Sequence, residues 1–135
     1  MDHAQNFALD VAAAASHFAL TEATVRSYLR DGRLAGVRLR GDWKTSWDQL
    51  WAIERGPTPT ALNRRAYQTP LLSKSGLARQ LNTSVRTVEG WLLQGMPTRN
   101  VYSNVRIAPI DAENWLIQAL GLSEKEGAVL RGLLR

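Results

Sequence analysis

The sequence predicts a mainly α-helical protein made of two tandem copies of one unit, each with a small β-hairpin. The first observation is an internal repeat, because residues 9–32 align without a gap with residues 72–95, at an offset of 63 residues. The second is that each copy has the apolar spacing of two short helices joined by a tight turn. The third is that a stretch with strand-like alternation follows each copy.

The first copy begins with a helix that presents a single apolar stripe. Val11, Ala14, Ala15 and Phe18 fall at i, i+3, i+4 and i+7. Asp10 stands directly before them, where a capping side chain is needed. Residues 19–20 are then expected to form a tight turn.

A second helix is predicted directly after this turn. Thr21 is a suitable N-cap, and Gly32 can adopt the left-handed conformation that ends a helix. Val25, Tyr28 and Leu29 are spaced to point inward. Two short helices joined in this way form a helix-turn-helix, whose second helix can enter the major groove of DNA. The outward residues start small and become basic: Ala23, Arg26, Ser27 and Arg30.

A basic hairpin is predicted after the second helix. Val37 and Leu39 alternate with Arg38 and Arg40, which is the period of a strand. Residues 41–42 are expected to form a two-residue type II′ loop, because this turn needs glycine at its first central position. The hairpin arginines would then lie on phosphates or in the minor groove.

A third helix is predicted to close this half of the chain. Trp43 is expected to return to the apolar face and Lys44 to lie in solvent. Thr45 and Asp48 form a candidate capping pair for a helix that runs through Glu54. Two helices, a basic hairpin and a third helix make up a winged helix-turn-helix.

Residues 20–44, LTEATVRSYLRDGRLAGVRLRGDWK, resemble the DNA-binding domain shared by MerR-type regulators and phage or plasmid excisionases of the AlpA-like group. The shared features are a threonine-hydrophobe-arginine core (24–26), an aromatic residue two positions on, a Gly-Arg-Leu turn (32–34) and a basic wing. The match spans about residues 9–54. The long coiled-coil helix and metal-sensing cysteines of full MerR regulators have no counterpart here, so effector sensing is not implied.

The resemblance also implies which residues contact DNA. In that family an arginine and a nearby threonine of the recognition helix contact DNA, and the wing contacts the backbone. This implies Thr24, Arg26, Ser27, Arg38 and Arg40. With the basic residues beside them, the predicted contacts of the first half are Thr24, Arg26, Ser27, Arg30, Arg38, Arg40 and Lys44.

The second copy, residues 72–97, resembles the same superfamily, and its ending Trp91…Gly95-Met96-Pro97 is similar to phage terminase small subunits. Ser84 is the expected cap of its second helix. Alternation over residues 100–107 predicts a second wing, and residues 109–119 a closing helix. The predicted DNA contacts of this half are Arg86, Thr87, Arg99 and Arg106.

The second copy departs from the first at one outward position. Glu89 stands where the first copy has Arg26. A carboxylate can accept a hydrogen bond from cytosine, but phosphates repel it. Arg86, one turn earlier, is therefore the candidate contact. The alternative is a copy that serves as a structural or partner-binding repeat.

The predicted organisation is a first domain (1–55), a linker (56–70), a second domain (71–121) and a C-terminal amphipathic helix (122–135). The linker is rich in proline and threonine, which favours an extended chain. Its basic pair, Arg64-Arg65, would lie along a phosphate strand or be plainly solvated. Ser123 and Glu126 predict a capping box for the last helix. That helix would fold back on the second domain or form a homodimer.

Composition and charge support these expectations. Hydrophobic residues make up 44% and charged residues 21% of the chain, as in ordinary globular proteins. Between residues 55 and 110 eight Lys or Arg stand against one acid, and segregated positive charge is typical of phosphate-backbone binders, although scattered solvated arginines are an alternative. There is no cysteine, no long apolar run and no basic or apolar N-terminal leader. We therefore expect a cytoplasmic protein without a membrane span.

No catalytic pattern is recognisable. The two histidines, His3 and His17, are not part of any carboxylate cluster, and no phosphate-cradling loop or nucleophile motif occurs. We expect no enzyme activity, cofactor or metal. The predicted function is sequence-specific binding of double-stranded DNA, as a transcriptional regulator or an excisionase-like recombination directionality factor of a mobile element, with an integrase or another protein as a partner. Alternatives are a terminase-like packaging protein and a regulator that acts mainly by binding protein.

Overall fold

The computed structural model describes residues 8–134 and divides the chain into two compact units, unit 1 (Met1–Pro70) and unit 2 (Leu71–Arg135). Seven α-helices lie within the described residues, so the prediction of a mainly α-helical protein is confirmed. No helix among them is long and apolar enough to cross a membrane.

Unit 1 consists of three helices, short strands and one turn of 3₁₀-helix. Its elements are α1 (Val11–Phe18), α2 (Glu22–Arg30), β1 (Val37–Leu39), β2 (Asp42–Lys44), α3 (Trp47–Ile53), β3 (Glu54–Arg55) and the 3₁₀ turn (Ala66–Gln68). Unit 2 has four helices and one short strand. They are α4 (Lys74–Gln80), α5 (Val85–Leu93), β4 (Asn100–Val101), α6 (Pro109–Ala119) and α7 (Glu124–Leu133).

Side-chain caps explain where the helices begin. The Asp10 carboxylate accepts a hydrogen bond from the Ala13 amide at 2.7 Å, and the Thr21 hydroxyl accepts one from the Thr24 amide at 3.2 Å. In unit 2 the Ser84 hydroxyl accepts from the Thr87 amide in the same way. Such a cap stabilises a helix by about 1 kcal/mol. These three predicted caps are confirmed.

The β1–β2 hairpin turns one residue earlier than predicted. Leu39 pairs with Asp42, so the two-residue loop is Arg40-Gly41 and not Gly41-Asp42. Both loop residues have positive φ, +54° and +88°. This is a type I′ turn, whose twist matches that of the flanking strands.

The face on which Trp43 lies also differs from the prediction. Arg38 pairs with Trp43, and their side chains share one face, on which the guanidinium lies over the indole ring. Val37 and Leu39 lie on the other face, each 53% exposed. The prediction that Trp43 returns to their face is therefore wrong.

The start of α3 also differs from the prediction. Ser46 is the N-cap residue, and the hydroxyl of buried Thr45 donates to the Ala35 carbonyl at 2.8 Å. The Thr45 side chain thus ties the hairpin to the chain before it, and the predicted Thr45–Asp48 capping pair is wrong.

The internal repeat is also a repeat of structure. Leu9, which precedes α1, exchanges two backbone hydrogen bonds with Thr45, which precedes α3. In unit 2, Leu72 and Ile107 exchange the same two bonds. The offset between the units is 63 residues at the first position and 62 at the second. It changes between Gly32 and Val37, where unit 1 has one additional residue.

Unit 2 has a hairpin where the alternation at residues 100–107 predicts one. Val101 and Asn104 exchange two backbone hydrogen bonds of 3.0 Å, and the Arg99 amide donates to the Arg106 carbonyl at 2.8 Å. The two-residue tip is Tyr102-Ser103. At the offset of 62 it occupies the place of Arg40-Gly41.

Each unit has its own apolar core. In unit 1 it is centred on Phe18, Val25, Leu34 and Leu50, all fully buried. The core of unit 2 extends into α7: its buried members are Leu77, Ala78, Val88, Met96, Ile107, Ala112, Leu116 and Leu134.

Two segments outside the predicted domain boundaries pack within the units. The Trp51 indole N–H donates to the Tyr67 carbonyl at 3.2 Å, so part of the predicted linker (56–70) lies against α3. In α7, Leu130 packs against the core of unit 2, whereas Val129 and Leu133 are exposed; Leu134, directly after the helix, is buried in that core. The predicted C-terminal helix thus folds onto unit 2, and the homodimer stays a prediction.

Candidate nucleic-acid interface

The outward face of α2 presents two arginines close together. Arg26 and Arg30 are exposed and one helical turn apart. The Arg26 guanidinium lies 3.1 Å from the Glu22 carboxylate, and both side chains are half-exposed. Exposed i,i+4 ion pairs contribute at most about 0.5 kcal/mol. Arg26 can therefore leave Glu22 for a ligand at little cost.

A groove of about 520 Å³ joins this face to the hairpin and to the start of α1. Four cationic residues converge on it: Arg26, Arg30, Arg38 and Lys44. Three carboxylates line it as well: Asp10, Glu22 and Asp42. The groove thus combines cations that bind phosphate with acceptors that can pair with the amino groups of bases.

Arg38 is held in position by its hairpin. Its Cζ lies 5.5 Å from the centroid of the Trp43 ring, and its Nη2 donates to the Gly41 carbonyl at 3.1 Å. A cation–π contact of this kind contributes about 0.5–1 kcal/mol at an exposed site. The sequence prediction missed Trp43 as the platform for Arg38, because it placed the two side chains on opposite faces.

Three predicted DNA contacts differ in how accessible their side chains are: Arg40, Thr24 and Ser27. Arg40 is exposed at the hairpin tip. The Thr24 hydroxyl lies 2.9 Å from that of Thr21 and belongs to the helix cap. Ser27 is half-buried, with its hydroxyl 3.5 Å from the Asp31 carboxylate. The side chain of Arg40 is therefore accessible to a ligand, whereas that of Thr24 mainly contributes to the cap of α2.

The corresponding face of unit 2 is less basic. Arg86 is exposed near the start of α5, whereas Leu93, at the place of Arg30, is 90% exposed. Glu89 lies 3.2 Å from the Lys74 ammonium, which offsets its charge. The Thr87 hydroxyl is 3.0 Å from that of Ser84, as in the cap of α2.

The remaining predicted contacts differ in accessibility. Arg99 is fully buried, so its prediction as a DNA contact is corrected. It occupies the place of Val37 in the unit 2 hairpin, where its backbone pairs with Arg106. Arg106 is half-buried and donates to the Val105 carbonyl at 2.8 Å.

The basic pair of residues 64–65 divides into one anchored and one exposed arginine. The Arg64 guanidinium lies 5.0 Å from the Trp51 ring and 3.4 Å from the Asp48 carboxylate. Arg65 is exposed. Only Arg65 is therefore placed to meet a phosphate without rearrangement.

His17 belongs to the core of unit 1. Its Nε2 is hydrogen bonded to the buried Glu54 carboxylate at 2.8 Å, and its ring meets Trp47 edge-on at 4.9 Å. Across residues 8–134 no group of histidines and carboxylates is arranged to hold a metal ion. His3 lies outside the described residues.

Comparison of the chain with protein-family models, curated proteins and solved structures finds no match. The resemblance to MerR-type regulators, excisionases and terminase small subunits therefore stays a prediction from residues 20–44 and 72–97.

Proposed function

We propose that this protein binds double-stranded DNA in a sequence-specific manner, and that unit 1 acts as a winged helix-turn-helix. The observation that carries the proposal is the groove of unit 1, in which cations from α2 and from the hairpin converge. A duplex offers phosphates on both sides of each groove, so a binder needs cations from two elements at once.

The shape of α2 supports insertion into the major groove. Its first turn exposes Ala23, whose small side chain allows the backbone to approach base edges. Arg26 and Arg30 follow on the same face, and arginine is the residue that pairs best with the acceptors of guanine. The hairpin would then lie on the flanking backbone or in the minor groove, with Arg38 and Arg40 as its contacts.

Unit 2 is proposed to add a smaller contribution. Arg86 supplies a phosphate or base contact, and exposed apolar side chains such as Val85 can meet thymine methyl groups. We assign the protein a positioning role on DNA, as a regulator or recombination directionality factor.

The test is selection of duplexes from a random pool, followed by a salt titration of the selected sequence. We expect enrichment of one sequence class, and an affinity that falls with salt at a slope of about −0.9 per phosphate contact. Arg30→Ala should weaken binding and reduce the slope by about one contact.

Lys125→Ala is the matched control, because Lys125 is an exposed cation of α7 that does not line the groove. It removes the same charge and should leave affinity almost unchanged. A protein that enriches no duplex, or that loses affinity equally in both variants, does not use this groove to read DNA.

A further inference from the structure

Both hairpins hold a residue other than glycine in the left-handed conformation at the same place. Arg40 has φ of +54° and Tyr102 has φ of +55°. Each is the first residue of a two-residue tip. The two are 62 residues apart, as are the pairs that close the tips, Leu39–Asp42 and Val101–Asn104.

This conformation is unfavourable for both side chains. It costs an ordinary L-residue about 1–2 kcal/mol, whereas glycine adopts it freely and asparagine or aspartate with little strain. A tip with positive φ at both residues, such as 40–41, accordingly favours Asn-Gly, Asp-Gly or Gly-Gly, and one with positive φ at its first residue alone, such as 102–103, favours glycine there. The chain instead has arginine in one tip and tyrosine in the other. Strain that persists in this way is typical of positions where the side chain is needed for function.

Burial does not account for the tyrosine. Tyr102 is 41% exposed, whereas its neighbour Val101 is fully buried and anchors the hairpin. The Asn104 side chain donates to the Val101 carbonyl at 3.0 Å, and the Arg106 amide donates to the Asn100 side chain at 3.1 Å. The tip is therefore braced from below, and the ring of Tyr102 stands outside the core of unit 2.

We infer that Tyr102 is a DNA-contacting residue of unit 2, in the place that Arg40 holds in unit 1. This inference rests on the proposed function. A phenol suits the edge of a DNA groove, because its ring can pack on a deoxyribose while its hydroxyl donates to a phosphate oxygen. It also has few rotatable bonds, so little conformational entropy is lost on binding. The sugar-phosphate backbone is thus the ligand of this tip.

The test compares the full-length protein with Tyr102→Gly on a labelled duplex of mixed sequence, about four helical turns long. Glycine relieves the backbone strain and removes the ring. We expect a melting temperature at or above that of the wild type and an affinity about tenfold lower, as for loss of one hydrogen bond to a charged phosphate. Tyr102→Phe should keep part of the affinity, because it retains the ring.

The matched controls are Ala19→Gly and Asn82→Gly. These residues have φ of +54° and +50° in the turns between α1 and α2 and between α4 and α5. Relief of strain there should not lower DNA affinity. Tyr102→Asn provides a second variant, since asparagine tolerates the same backbone, and it should bind as weakly as Tyr102→Gly.

The outcomes separate the inference from the proposed function. If the wild type binds neither this duplex nor any duplex of the random pool, both are wrong. If the wild type binds and Tyr102→Gly and Tyr102→Asn bind equally well, Tyr102 makes no contact and only the inference fails. If both variants melt well below the wild type, the tyrosine is kept for folding, and the inference is again wrong.

Discussion

Units 1 and 2 have a similar backbone arrangement, but the outward faces of their second helices carry different residues. α2 and α5 have the same length and the same hydroxyl cap, and both end before a left-handed glycine. On the outward face, however, Arg26 and Arg30 of unit 1 correspond to Glu89 and Leu93 of unit 2. The inward residues determine how these helices fold, while the outward residues are free to differ. The outward face of α2 is therefore more basic than that of α5.

The two hairpins differ in which of their side chains are buried. Val37 and Leu39 are half-exposed in unit 1, whereas Arg99 and Val101 at the same register are fully buried in unit 2. An apolar pair is thus exposed where a pair containing arginine is buried. Side-chain polarity alone does not decide which face of a short hairpin is covered.

The largest effect is expected from exchanging the outward residues of the two helices. Arg26→Glu with Arg30→Leu converts unit 1 to the pattern of unit 2 and should weaken DNA binding by about 2–6 kcal/mol, since each contact contributes about 1–3 kcal/mol. The reverse exchange, Glu89→Arg with Leu93→Arg, should strengthen binding. Fluorescence anisotropy at fixed salt measures both. Equal affinities of the two variants would show that the difference between the units has no role in DNA binding.

The next effect concerns α7, which completes the core of unit 2. Leu134→Ala should lower the free energy of unfolding by about 2–5 kcal/mol, because it leaves a cavity in that core. Leu133 is adjacent but 52% exposed. Leu133→Ala should therefore stay within about 0.5 kcal/mol of the wild type. Urea unfolding measures both, and a larger loss for Leu133 would place the other side of α7 in an interface.

A smaller effect is expected at the buried pair of unit 1. His17→Leu removes the partner that the Glu54 carboxylate meets at 2.8 Å and should destabilise the protein by about 1–3 kcal/mol. The corresponding position in unit 2 is the exposed Gln80, where Gln80→Leu should change stability by less than about 0.5 kcal/mol. Thermal unfolding compares the two. A similar change at both positions would mean that the polar contact contributes nothing.

The smallest effect is expected at the capping box of α7. The Ser123 amide and hydroxyl are hydrogen bonded to Glu126, and the backbone bond lowers the pKa of the Glu126 carboxyl below its usual value. Because the folded pKa is lowered, this contribution to stability is present above the usual carboxyl pKa and is lost as the pH falls through the folded pKa.

Ser123→Ala should therefore cost about 1 kcal/mol at neutral pH. The Ser123 amide remains in this variant, so the pH dependence is tested with Glu126→Gln, whose difference in stability from the wild type should shrink as the pH falls through the pKa of Glu126. A difference that is independent of pH would contradict the role of the carboxylate.

Local signals made much of the fold predictable. Asp10, Thr21, Ser84 and Ser123 each cap a helix as their sequence context predicts, because a cap depends only on the next three residues. The hairpin tip was misplaced by one residue, because Gly41 suits either register. The end of the hairpin is also paired with a distant residue, Leu9 with Thr45, and the local sequence does not reveal that contact.

The candidate site was predictable in part, for the same reason. Arg26 and Arg30 were identified from helical spacing, since every third or fourth residue of α2 faces outward. Arg99 was predicted as a contact because it is basic, but it lies two residues before Val101, on the same face of the hairpin, and like Val101 it is fully buried. The sequence does not single out Tyr102, because what makes it a candidate is its positive φ, and a dihedral angle is known only from the structure.

The unlike surfaces of α2 and α5 have a consequence for the proposed DNA site. If the proposed function holds, one chain with two different reading surfaces would recognise a sequence whose two ends differ. Such a site has a polarity, so the bound protein would mark one direction along the duplex. Inverting the site within the duplex would then reverse the orientation of the bound protein relative to the flanking DNA.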